Sequence, residues 1–303
     1  MTVPYTKPAL TFPEQLDLLE SRGLAIPDRT AAEAILSRIS YYRFSAYCLP
    51  FKNNSDKFHK GTTWEKVMGL YEFDRHLRLL VMDALERVEV AIRTAVTYTL
   101  AHAYDAFGYL DPANFRPDFE HAKWLEKLTG EIEKSHETFI QHFKYKYDGY
   151  PRLPIWMASE VMSFGSLSRL YEGMVDTDQQ KVSEQYALPV LVLRSWLRSL
   201  SFIRNVCAHH SRLWNRELAI APKMPFAKHG WLPDEIPNQK RLFAVFIMLR
   251  HLMDGQPSAE KWQKDVTRLI EPVAADYKFR IVMGLPDNWQ THRRWLCASG
   301  DRS

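Results

Sequence analysis

The sequence predicts an all-α protein. Apolar residues recur at three- and four-residue steps along most of the chain, helix-start signals precede those runs, and no stretch alternates apolar and polar residues as a half-buried strand would. No internal repeat appears.

Thr11 followed by Glu14 has the form of a capping box, and Leu16, Leu18 and Leu19 follow it in a first helix that should stop near Gly23. Asp28 caps a second helix through Ile35, Leu36, Ile39 and Tyr42 toward Pro50. The polar stretch from Asn53 to Gly61 reads as a loop. Thr62 with Glu65 caps the longest helix, expected over Thr63–Tyr104, with Leu70, Phe73, Leu77, Leu80, Val81, Leu85 and Val88 on its apolar face. Asp111-Pro112 and Arg116-Pro117 mark a loop, and an amphipathic helix follows over Phe119–Lys134. Tyr150-Pro151-Arg152-Leu153-Pro154 breaks the pattern, and Ile155–Tyr171 reads as one largely buried helix despite Gly165. Val190–His210 is the next helix, Arg216–Pro237 is irregular, and Gln239–Met253 and Ala259–Leu269 are helical. No element is assigned after Pro272.

The 303 residues carry a net charge of +4, a slight bias toward anionic partners and less basic than a dedicated DNA-binding domain. Cys48, Cys207 and Cys297 are far apart and form no CxxC pair, which excludes a zinc ribbon or dithiol motif and fits a reducing cytoplasm. The N-terminus has no charged region followed by an apolar stretch, so no signal peptide is expected. The longest apolar run, Leu242–Leu249, is too short to span a bilayer, so no membrane partner is expected. A cytoplasmic protein is the resulting expectation.

The densest polar chemistry lies at Arg204-Asn205-Val206-Cys207-Ala208-His209-His210-Ser211-Arg212, at the end of a helix that also carries Arg194 and Arg198. On a wheel at about 100° per residue, with Arg194 at zero, Asn205 falls at about 20°, Arg198 at about 40° and His209 at about 60°. Arg212 joins this stripe if the helix continues that far. Trp196, Leu200, Ile203 and Cys207 fall on the opposite side, and Arg204 near the edge of that apolar face, about 140° from His209. Arginine offers planar donors for phosphate oxygens, and histidine exchanges protons near neutral pH. The same stripe also fits a solvated face whose histidines sit favourably at a helix C-terminus. Cys207, His209 and His210 match no standard zinc spacing, and neither metal nor cofactor is expected. Glu86, Glu89 and Arg93 are spaced for ion pairing along the long helix, or for support of the Arg or His. Arg75 and Arg78 read as solvated or RNA-contacting, and Trp214 and Tyr42 as core residues or base-stacking platforms.

The segment RNVCAHHSRLWNR resembles the signature of the Abi-like (AbiD/AbiF) family. ISYYRFSAYCLPF at 39–51, YEFDRHLRLLVMDALERVEVAIRTAV at 71–96 and LPIWMASEVMSFGSLSRLY at 153–171 resemble the same family in the same order, so the likeness covers roughly residues 5–255. The resemblance implies a HEPN-like helical bundle with additional N- and C-terminal helices: an N-terminal helical segment over 1–60, a HEPN-like core over 61–255 and a C-terminal extension over 256–303, together one compact unit. It implies a nuclease motif of Arg204, the polar Asn205 and His209, with four residues between Arg and His. His210 also satisfies the permitted spacing, and Arg194, Arg198, His210 and Arg212 are candidate RNA contacts.

The implied activity is metal-independent endoribonuclease cleavage leaving 2′,3′-cyclic phosphate and 5′-OH ends, in phage defence by abortive infection. The implied partners are an RNA substrate, a small RNA or protein antitoxin, and a second copy of the chain completing a composite site. A non-cleaving RNA-binding module and a helical protein-interaction or regulatory protein are the competing expectations.

Overall fold

The computed structural model describes residues 3, 4, 6, 8–225, 230, 231 and 235–296. Among them are fourteen α-helices and no sheet; the only β-pairing is three isolated bridges. The all-α expectation is met. The chain divides into two compact units, Met1–His76 and Leu77–Ser303, with the division inside one long helix.

In the first unit, α1 (Phe12–Ser21) starts with the full Thr11–Glu14 capping box, and α2 (Arg29–Ile39) starts with the Asp28 carboxylate accepting from the Ala31 amide. Both caps follow from local side-chain chemistry that competes well at a helix start. The single helix expected from Asp28 toward Pro50 is broken at Ser40, which adopts φ 62° and whose hydroxyl accepts from the Arg43 amide to start α3 (Tyr41–Cys48). The turn lets α3 bury Phe44 and Tyr47, while Tyr42 remains 88% exposed. Phe44 stacks on Trp64 at 4.3 Å, and the Tyr47 hydroxyl donates to buried Asp74 at 2.7 Å. Burial of Cys48 pushes its thiol up to about 12.

The long helix α4 (Trp64–Tyr104) has 41 residues, a span of roughly 60 Å. Its cap is Thr63, whose hydroxyl accepts from the Lys66 amide. Thr62, the expected cap, instead donates its hydroxyl to the His59 carbonyl at 2.7 Å.

The second unit holds the rest of α4 and ten further helices: α5 (His121–Lys134), α6 (Thr138–Lys146), α7 (Ile155–Val161), α8 (Phe164–Gly173), α9 (Asp176–Glu184), α10 (Val190–Ala208), α11 (Leu242–Leu252), α12 (Ala259–Ala274), α13 (Tyr277–Met283) and α14 (Arg293–Leu296). α10 packs on α8 and α9, and α5 packs on α7 and α8. α11 is buried along nearly its whole length, with Arg250 paired to Asp254 at 3.4 Å. Trp262 of α12 donates its indole N–H to the Leu80 carbonyl of α4 at 2.7 Å.

Several elements depart from expectation. α6 and α9 are too short and too polar to show a long apolar period. α12 runs through Pro272 to Ala274, and α13 and α14 occupy the tail that carried no assignment. The helix expected over Ile155–Tyr171 is interrupted at Met162 and Ser163, both extended, rather than at Gly165.

The interruption is held from outside. The Met162 carbonyl accepts from the Arg93 guanidinium of α4 at 3.0 Å. Ser163 caps α8 by accepting from the Ser166 amide, and both Ser163 and Ser166 donate hydroxyls to Glu131 of α5 at 2.8 and 2.9 Å. Three helices therefore fix one break. Ser163→Ala removes the cap and one donor to Glu131, and should destabilise the protein by about 1–2 kcal/mol. Equilibrium urea unfolding should show a lower midpoint with an unchanged slope.

Candidate functional site

α10 sets out the site by burying one face. Leu193, Trp196, Leu197, Leu200, Ile203 and Cys207 are all buried, on the apolar face that the periodicity marks. Asn205 and His209 remain on the exposed face, and their side chains hydrogen-bond to no described residue.

The helix closes with a Schellman turn. The His210 amide donates to the Cys207 carbonyl at 3.0 Å and the Ser211 amide to the Val206 carbonyl at 2.9 Å. His210 therefore occupies the left-handed position, with φ 54°, where glycine is usual. His209 continues the helical path as the cap residue, with φ −89° and ψ 12°. The turn thus gives the adjacent histidines different backbone geometries. Arg78 of α4 is buried and donates to the Ser211 carbonyl at 3.4 Å. The expected solvated position is therefore not met; the side chain holds the chain leaving α10.

Arg204 lies half-buried against α4. It lines a cavity of about 500 Å³ with Asp83, Glu86, Glu89 and Arg93, and a second of about 790 Å³ with Glu89, Arg93, Glu131, Glu160 and Ser163. Despite these carboxylates, Arg204 forms no ion pair or hydrogen bond with a described residue. Glu89 is instead paired with Arg93 at 2.7 Å, both side chains being largely buried. The Arg93 guanidinium also holds the Met162 carbonyl, so the pair is committed to the fold. The expected ion pairing on α4 is thus present for Glu89 and Arg93, and Glu86 stays on the wall beside Arg204.

The other candidates divide. The Arg194 guanidinium donates to Gln179 Oε1 at 2.5 Å, and Gln179 in turn donates to the Glu172 and Met174 carbonyls. Arg198 is exposed and bonds to no described residue. Arg212 does not join the helical stripe, because α10 ends at Ala208. Trp214 is buried, in keeping with a core role, whereas Tyr42 is exposed. Arg75 is exposed and reaches Glu72 only at 3.7 Å. Among the described residues no group of three His, Cys, Asp or Glu side chains is placed to hold a metal ion, and Cys297 lies outside them. His209 does not line either cavity that Arg204 lines.

A family model described as Abi-like protein matches residues 34–215, more than half of the chain and the whole of the Arg204–His209 motif. The chain belongs to the Abi-like family. A search of curated proteins and of solved structures finds nothing that matches it. Membership points this Abi-like protein toward phage defence by abortive infection. No helix among the described residues is long and apolar enough to cross a membrane.

The Schellman turn of this Abi-like protein yields a direct test. His210→Ala and His210→Gly delete the same imidazole, but only glycine accepts φ 54° without a Cβ conflict. The glycine variant should be more stable than the alanine variant by about 1 kcal/mol. Thermal unfolding of the two variants side by side measures the difference.

Proposed function

We propose that this Abi-like protein is a metal-independent endoribonuclease of the HEPN type, acting in abortive infection as a toxin restrained by a small RNA or protein antitoxin. The observation that carries the reading is the state of the motif at the end of α10. Asn205 and His209 are exposed, and Arg204 stands beside carboxylates without pairing to any of them. A half-buried guanidinium left unpaired retains its capacity to bind a phosphate.

In the proposed reaction the ribose 2′-OH attacks the adjacent phosphorus in line. The 2′-O–P bond forms as the P–O5′ bond breaks. His209 takes the proton of the 2′-OH, and an acid on the opposite side returns one to the departing O5′. Arg204 stabilises the charge that grows on the non-bridging oxygens, and Asn205 orients the imidazole or the phosphate. DNA lacks the nucleophile and is spared. Because Arg204 and His209 face different parts of one helix end, a second copy of the chain supplies the opposing motif, and the site is composite.

His209→Ala should lower RNA cleavage in EDTA by about 10²–10⁴-fold, and Arg204→Ala by about 10²–10³-fold. The wild type should leave 2′,3′-cyclic phosphate and 5′-OH ends. Mixing the two variants should restore part of the activity, since one mixed site then holds an intact Arg204 from one copy and an intact His209 from the other. RNA cleaved equally by wild type and both variants would remove the nuclease reading. The separation of Arg204 from His209 within one chain favours a second reading, a module that grips RNA without cutting it. Salt-dependent RNA binding by the wild type with no new ends would select that reading.

A further inference from the structure

A groove on α10 lies apart from the cavities beside Arg204. One wall is formed by Leu191, Arg194, Arg198 and Phe202 of α10, and the other by residues 218–223; together they enclose about 400 Å³. The second wall is fastened. Trp196 donates its indole N–H to the Lys223 carbonyl at 2.7 Å, the Lys223 amide donates to the Ser195 hydroxyl at 2.9 Å, and the Leu218 amide donates to the Lys240 carbonyl at 2.9 Å. The groove is therefore shaped before anything binds, as ligand sites commonly are.

Its lining joins two chemistries. Leu191, Phe202 and Ile220 are large apolar side chains that remain 55%, 42% and 63% exposed while facing one concavity. Arg198 and Lys223 are exposed cations whose side chains bond to no described residue. Arg194, anchored to Gln179, has a buried Nε without a hydrogen-bond partner. The one carboxylate in the lining, Glu172 of α8, is paired with Arg169 at 2.7 Å. An aromatic and aliphatic floor beside uncommitted cations suits a flat apolar ring carrying a phosphate. The cavity beside Arg204 differs, because Asp83, Glu86 and Glu89 border it.

The groove also lies in line with the motif. Phe202 precedes His209 by seven residues and Arg198 precedes it by eleven, which places them about 10 and 16 Å back along the helix and within about 20° of its face. We propose that this groove seats one nucleotide of the RNA strand, its base against Phe202, Leu191 and Ile220 and its phosphate on Arg198 and Lys223, and so selects which sequence reaches His209. Base discrimination at the groove rests on the nuclease reading; occupation by a nucleotide does not.

Saturation-transfer NMR and titration of the full chain with the four 5′-mononucleotides test the occupant directly. At least one should bind at low salt, at least tenfold more tightly than inorganic phosphate. Phe202→Ala and Arg198→Gln should each weaken it about tenfold, and Ile220→Asp should do the same from the opposite wall. Absence of binding by all four, or equal binding in all three variants, overturns the proposal. Cleavage by wild type against His209→Ala decides the nuclease reading separately. If both hold, the ends produced by Phe202→Ala should show a relaxed base preference, and an unchanged preference would overturn the selecting role.

Discussion

Trp196 sits fully buried in the middle of α10, and its indole N–H ends on the backbone of residue 223. An indole of this size, packed and satisfied, fixes the rotation of the helix about its own axis. Which side chains of α10 face outward follows from that rotation. With Leu193, Leu197 and Leu200 inward, the outward side chains are set without further choice. The same indole draws the segment after α10 back against the helix and turns an irregular stretch into the wall of a groove.

Electrostatics around Arg204 follow from which charges are already satisfied. Glu89 and Arg93 lie within a turn of one another and are removed from most solvent, where an unpaired charge is costly. Their pairing, with the Met162 carbonyl as a further acceptor, satisfies both charges within the fold. Arg204 beside them keeps its donors even with Glu86 on the same cavity wall. The interruption between α7 and α8 is part of this arrangement, since a continuous helix would have spent the Met162 carbonyl on its own backbone.

What could be read from the sequence was what depends on near neighbours. The caps at Thr11 and Asp28, the apolar face of α10 and the family likeness around RNVCAHH are all expressed within a few residues. The break at Met162 was not legible, because its causes are Arg93 and Glu131, 69 and 32 residues away from the groups they hold. Gly165 was the conspicuous residue in that segment, yet it sits inside α8. Thr62 and Thr63 offer the same hydroxyl at adjacent positions, so sequence alone had no means of separating them. At the candidate site, the helix face carrying Asn205 and His209 was visible in the periodicity. The roles of Arg78 and of residues 218–223 were not, because an arginine between leucines and a proline-rich stretch give no sign of what they will meet.

The hydrogen bond from Arg78 to Ser211 joins positions 133 residues apart. A contact of that span carries a loop-closure entropy cost that the local bonds of the turn do not. A chain still being synthesised, and not yet extended to Ser211, lacks that acceptor altogether, so completion of the motif is tied to completion of most of the polypeptide.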